Sequence, residues 1–268
     1  MPEGDSIYKE ARKLDAALKG RRLVRGELRV ASLAGADLVG ATVLEHDTHG
    51  KHLLTRFDDG RTLHTHLRMD GEWTVLNPGK RLPARLAGDV RVSLAGENGQ
   101  LGLALRMPVV ELMTTQQEQS LRAALGPDPL RHDWDPAEAE RRLRAAGDRP
   151  LVAALLDQRN LAGLGNLWVN ELLFVRGLYP WTPAADADLA LVVRLAARML
   201  RQSITVRGNG QVTTGNPRAG YEHWVYGRTG QSCRRCLTPV RHTPEVPGDP
   251  ARRATWWCPH CQPAPDRV

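Results

Sequence analysis

The sequence predicts an α+β protein of more than one domain. Three observations carry this: a leading stretch of one helix and many short alternating strands, a middle stretch of helical patterns, and a final stretch that holds every cysteine. At 268 residues the chain is long enough to bury a sizeable core. Its 41% hydrophobic and 25% charged content is ordinary for a soluble globular protein. No apolar run reaches the length of a membrane span, and the first twenty residues are too charged for a signal peptide, so the cytoplasm is the expected compartment. The net charge of +7 favours a polyanionic partner, although many basic proteins never touch nucleic acid. Only five of the 37 basic residues are lysine. Arginine suits phosphate through its bidentate fork, while Arg and Ala together also accompany a GC-rich genome.

Residues 5–20 read as a helix, with Asp5 or Ser6 as its cap, Ile7, Ala11, Leu14 and Leu18 as its apolar face, and Gly20 at its end. Strand patterns follow to about residue 106. Leu53, Thr55 and Phe57 alternate with Leu54 and Arg56 before an Asp58-Asp59-Gly60 turn, and Leu63, Thr65, Leu67 and Met69 alternate next. Val90, Val92 and Leu94 pair with Leu101, Leu103 and Leu105 around Glu97-Asn98-Gly99. Such short, regular strands make a sandwich or a barrel. Beyond the prolines at 127, 129 and 136 the period becomes helical. One helix opens at Asp135-Pro136, a second covers Pro150 to Arg159, a third runs from Asn166 to Gly177, and a fourth is capped by Asp186. Asn209 to Gly220 is a loop by composition.

Cys233-x2-Cys236 and Cys258-x2-Cys261 stand 21 residues apart, a spacing that supplies four thiolates to one tetrahedral zinc. Two disulfides or free thiols are the alternatives. With no open position the metal's role is structural. From Arg218 to the end, eight arginines face four acidic residues, which makes this finger a basic surface fit for DNA, although many zinc ribbons bind only protein. Gln158 to Asn166 lies between two helical patterns, and its glycines allow a tight turn whose free N–H groups cradle phosphate; a plain helix-to-helix turn with an Asn cap is the commoner use of such a segment. Removal of Met1 before Pro2 leaves a secondary amine whose pKa, near 8, keeps part of it unprotonated at neutral pH, with Glu3 beside it as a proton shuttle. Most Met-Pro starts carry no chemistry. Lys51, between a turn and an apolar strand, can reach a phosphate or donate a proton, as can many a surface lysine.

Met1-Pro2-Glu3-Gly4, Gly50-Lys51-His52-Leu53-Leu54, His66 to Gly71, Gly163-Leu164-Gly165-Asn166, Val225-Tyr226-Gly227-Arg228 and Arg253 to Gln262 occur together and in order. The combination resembles the formamidopyrimidine-DNA glycosylase and endonuclease VIII family of bifunctional DNA glycosylases. The resemblance implies an N-terminal β-sandwich with a leading helix over residues 1–118, a helix–two-turn–helix domain over 119–218 and a zinc β-hairpin over 219–264. It implies a monomer that acts on damaged double-stranded DNA, with one structural zinc held by Cys233, Cys236, Cys258 and Cys261. By similarity Pro2 is the nucleophile and Glu3 moves the proton. Lys51 contacts DNA and assists catalysis, and Asn166 and Arg253 grip phosphates beside the flipped nucleotide, Arg253 sharing in catalysis. Met69 belongs to the loop that fills the gap left by the base.

The start of the chain and Trp73 resemble the endonuclease VIII branch, which favours oxidised pyrimidines. The segment Arg106-Met107-Pro108-Val109-Val110-Glu111 lacks the Asp-Pro-Arg-Arg-Phe-Gly run of the purine-directed branch. A purine-directed enzyme and a non-catalytic DNA-binding relative are the alternatives. Ser6 stands where many relatives have a supporting Glu, with Asp5 as its replacement, and Glu245 to Pro250 lengthens the turn of the hairpin.

Overall fold

The computed structural model describes residues 2–206, 208, 210–245, 249 and 252–265. It divides into two compact units, residues 1–124 and 125–268. In the first, helix α1 (Gly4–Leu18) precedes eight strands: β1 (Leu23–Leu28), β2 (Val43–His49), β3 (His52–Phe57), β4 (Arg61–His66), β5 (Glu72–Leu76), β6 (Val90–Gly96), β7 (Leu101–Leu105) and β8 (Val109–Thr114). They form two antiparallel four-stranded sheets, in the orders β1-β6-β7-β5 and β2-β3-β4-β8. Leu23, Val92, Leu94 and Ala104 from one sheet share a core with Val43, Leu53, Phe57 and Leu63 from the other. The sandwich is therefore a fact of packing. Ile7, Ala11, Leu14 and Leu18 of α1 are fully buried in that same core, as their helical spacing predicts.

Helix α2 (Thr115–Ala123) closes this unit through a capping box: the Thr114 hydroxyl accepts from Gln117 N–H while the Gln117 side chain accepts from Thr114 N–H. Neither α2 nor β8 is visible in the sequence pattern, because α2 carries few apolar residues and β8 buries only Val110. The cap of α1 also differs from expectation. Glu3 occupies the cap position without a capping bond from its side chain, and Asp5 and Ser6 lie inside the first turn. Gly20 does end the helix, at φ 72°. The alternation expected to run to Met69 stops at His66, and Leu67 to Asp70 form a turn.

The second unit contains α3 (Pro136–Arg144), α4 (Leu151–Leu156), α5 (Asn166–Arg176) and α6 (Leu189–Thr205), then the hairpin β9 (Arg241–Thr243) and β10 (Thr255–Trp257). Asp135 caps α3 by accepting from Glu138 N–H, and Gly177 closes α5 at φ 68°. α4 stops three residues short of Arg159, where Asp157 turns to bind Arg159 and Arg149. α6 starts later than expected, since Asp188 rather than Asp186 accepts from Leu191 N–H. Its Leu189, Val192, Val193, Ala196 and Leu200 meet α3, α4 and α5 in one core. Residues 210–220 form no helix or strand, as expected, and Asn209 lies outside the described residues.

Candidate nucleic-acid interface and active site

Pro2 and Glu3 lead directly into α1. Glu3 is extended (φ −124°, ψ 177°), its carbonyl accepts from Ile7 N–H at 3.0 Å, and its side chain is fully buried. Asp5, in the first turn, is 1% exposed. Pro2 thus stands two residues before the first residue of α1, next in sequence to a buried carboxylate.

Gly50 (φ 59°) and Lys51 form the two-residue connection between β2 and β3, closed by the pair His49–His52. Lys51 is half-buried there. On the face of that sheet turned away from the core lies a group that sequence reasoning missed. His52 Nδ1 and His64 Nε2 are 2.9 Å apart, and His64 Nδ1 is 2.9 Å from Glu111 Oε2. A carboxylate only accepts, so His64 donates to Glu111 through Nδ1. His66 packs edge-on against His52 at 4.9 Å. Burial, then the neighbouring His66, His64, His49 and Lys51, push the His52 pKa down to about 3; burial first, then His64, Lys51 and Arg68, takes His66 to about 4. The signal was the i, i+2 spacing of His64 and His66, which puts both on one face.

Met69 stands 64% exposed on the turn after β4. The turn is tight: Arg68 has φ 46°, its N–H donates to His66 Nδ1, and a Cβ on Gly71 would meet the Leu67 carbonyl oxygen at 2.8 Å. Trp73, read as a mark of the endonuclease VIII branch, is a core residue that donates to Thr65 Oγ1. Arg106 pairs with Asp89 and Glu72, and Met107 is buried.

In the second unit the turn between α4 and α5 is organised by Gln158, which donates to the Leu156 and Leu164 carbonyls and accepts from Gly163 N–H. Gly163 takes φ 96°. The Asn166 side chain does not cap α5; Gly165 holds that position. Asn166 instead donates to the Ala254 carbonyl at 2.8 Å, and Asn170, one turn on, accepts from Trp256 N–H at 2.7 Å. These bonds bring the start of α5 to the strand that follows Arg253, so Asn166 and Arg253 share a neighbourhood. The Arg253 guanidinium is held bidentately by the buried Asp249 at 2.7 and 2.8 Å. Glu245 and Asp249 of the lengthened hairpin turn are described; residues 246–248 and 250 lie outside the described residues.

The Sγ atoms of Cys233, Cys236, Cys258 and Cys261 lie within 4.8 Å of one another. Cys233 and Cys261 are 3.9 Å apart, Cys236 and Cys258 3.4 Å. Four sulfurs about 2.3 Å from one tetrahedral zinc stand about 3.8 Å from each other, so the donor set fits that metal. Arg235 N–H points at Cys233 Sγ and Cys261 N–H at Cys258 Sγ, both at 3.4 Å, which stabilises thiolate charge. Gln262, fully buried, anchors the second knuckle by accepting from Cys258 N–H and donating to the Leu178 carbonyl.

Two family models match. The formamidopyrimidine-DNA glycosylase N-terminal domain covers residues 1–162, and the formamidopyrimidine-DNA glycosylase H2TH domain covers residues 125–214. The chain belongs to the formamidopyrimidine-DNA glycosylase and endonuclease VIII family. Within that family it is 43% identical to the probable endonuclease 8 2 of Streptomyces coelicolor, over 99% of this chain and 95% of that one. It is 39% identical to the DNA-(apurinic or apyrimidinic site) lyase Nei2 of Mycolicibacterium smegmatis, over 98% of this chain and all of that one. Among solved structures it resembles the Lactococcus lactis enzyme bound to DNA containing an oxidised pyrimidine, with a TM-score of 0.79, 25% identity, and coverage of 98% of this chain and 100% of that one. The expected fold and family are therefore established. No helix among the described residues is long and apolar enough to cross a membrane.

Proposed function

We propose that the chain is a bifunctional DNA glycosylase and abasic-site lyase of base excision repair whose nucleophile is the amine of Pro2. The observation that carries this is the position of Pro2 at the head of α1, one residue before a fully buried Glu3. An α-amino group titrates near 8, and the positive end of a helix disfavours its charged form further. The free lone pair attacks C1′ of the damaged nucleoside. The bond from C1′ to the base breaks, and the base leaves with a proton relayed by Glu3. Opening of the sugar ring, with a proton delivered to its oxygen, gives an iminium between Pro2 and C1′. Loss of a C2′ proton then expels the 3′ phosphate, and a second elimination expels the 5′ phosphate.

Lys51 serves this step as a phosphate contact and proton donor at the β2–β3 turn, beside His52 and His66. Asn166 and Arg253 hold phosphates, Arg253 also taking part in catalysis and exchanging Asp249 for phosphate as it binds. Met69, exposed on a constrained turn, fits the space left by the extruded base, offsetting lost stacking with apolar contact. Cys233, Cys236, Cys258 and Cys261 hold one zinc, which supplies a cross-link and has no open position for chemistry. The working parts are a catalytic sandwich over residues 1–118, a helix–two-turn–helix domain over 119–218 and a zinc hairpin over 219–264. As a monomer acting on damaged chromosomal duplex, the protein works in the cytoplasm.

Oxidised pyrimidines are the preferred lesions. The engaged Arg106 and buried Met107 support this, since that segment offers no free arginine or aromatic wedge. The test is borohydride trapping on duplexes carrying thymine glycol, dihydrouracil or 8-oxoguanine. The expected result is a covalent adduct with the two pyrimidine lesions that disappears when Met1 is retained, because an amide nitrogen has no free lone pair. Adducts confined to 8-oxoguanine would overturn the lesion class. Tight binding without any adduct would overturn catalysis and leave a DNA-binding relative.

A further inference from the structure

Most arginines of the second unit are already engaged. Arg141 and Arg142 bind Glu138, Arg149 and Arg159 bind Asp157, and Arg201 donates to the Pro129 carbonyl. Among the described residues of this unit, Arg176, Arg194, Arg198 and Arg241 have no carboxylate, carbonyl or ring partner. Three of these four converge. Arg176, in the last turn of α5, and Arg194 and Arg198, exposed on α6, line a groove of about 460 Å³ floored by Val175, Leu191 and Leu195.

The arrangement is unfavourable as it stands. Arg194 and Arg198 are four residues apart on one helical face, where like charges repel. Arg176 Nε is buried without a hydrogen-bond partner, so it has lost water and gained nothing. An anion that entered the groove would relieve both. The apolar floor decides which kind. A nucleic-acid backbone brings phosphate but no side chain for Leu191 and Leu195, whereas an acidic peptide with an apolar residue satisfies fork and floor together. The groove also lies at the far end of α5 from Asn166, about 15 Å along the helix, and so apart from the turn read as phosphate-binding.

We propose that the groove between α5 and α6 docks an acidic segment of a partner protein, its carboxylates on Arg176, Arg194 and Arg198 and an apolar side chain on Leu191 and Leu195. The test uses the full-length protein and a fluorescein-labelled peptide of Asp and Glu with two leucines, against the same peptide with serines for leucines and against oligothymidylate. The expected result is saturable binding of the leucine peptide that weakens about tenfold or more in the Arg194→Gln/Arg198→Gln double variant, as lost charge-assisted bonds require. Leu191→Ser should remove the preference for leucine over serine, and cleavage of an abasic duplex should stay unchanged in both variants. The proposal fails if neither peptide saturates, or if leucine and serine peptides bind wild type and variant alike. It also fails if the double variant loses oligothymidylate while keeping the peptide, for then the arginines serve nucleic acid.

Discussion

Glu171 shows how much one side chain orders in this protein. It sits in the middle of α5, fully buried, and accepts from the backbone N–H groups of Trp224, Val225 and Tyr226 and from the Thr213 hydroxyl. A buried carboxylate is tolerable because donors surround it, and in return it fixes two segments that form no helix or strand. Glu171→Gln keeps the shape but turns an NH2 group towards backbone donors. The expected loss is on the order of 3 kcal/mol, seen as a lower urea midpoint at unchanged slope. Nothing near Glu171 in the sequence announces this role, because its partners lie more than forty residues later. The turn that holds Lys51 was legible for the opposite reason, since Gly50 and the apolar run after it announce it locally.

At the level of elements, the outward face of β3 and β4 carries two kinds of polar order. Towards one end Arg56 binds Glu118 of α2 together with Asp47 and Glu45, and Thr62 donates to Glu118. Towards the other, His52, His64 and His66 gather beside Glu111 and Lys51, and burial holds His52 and His66 neutral. The first end gains from charge and the second excludes it. His52 titrates near 3 when folded and near 6.5 when unfolded, so between those values the unfolded chain binds more protons. Its contribution is complete above about pH 6.5 and is lost progressively as pH falls towards 3. From pH 7 to 5 this alone removes about 2 kcal/mol. Thermal unfolding at the two pH values checks it, and His52→Gln should flatten the difference. Elements were legible where one face is apolar, as in α1 and α6. They were hidden where burial rests on ion pairs, as in α2, or where a cap choice between Asp186 and Asp188 turns on one hydrogen bond.

On the scale of the molecule, the two units keep separate cores, one between the sheets and one among α3 to α6, with a smaller cluster at the cysteines. The hairpin β9–β10 has three residues in each strand and little apolar cover, too little to hold itself. One zinc per chain is the expected metal content. Its removal by a chelator should lower the melting temperature of the second unit by several degrees and leave the sandwich transition in place. Elemental analysis and scanning calorimetry measure both. Paired CxxC spacing made this corner readable at a glance, whereas the bond from Asn166 to Ala254 that joins it to α5 was not.

The same thiols set a limit on when the protein can work. Cys236 and Cys261 are partly open to solvent, and each stands within 4 Å of a buried partner, Cys258 and Cys233. Peroxide converts such sulfurs to sulfenic acids and then to cross-links, expelling whatever they hold. On the function proposed, oxidants create the lesions this chain removes. Its capacity for repair should therefore climb with mild oxidative stress and collapse under severe stress, when the damage reaches the tool as well as the DNA.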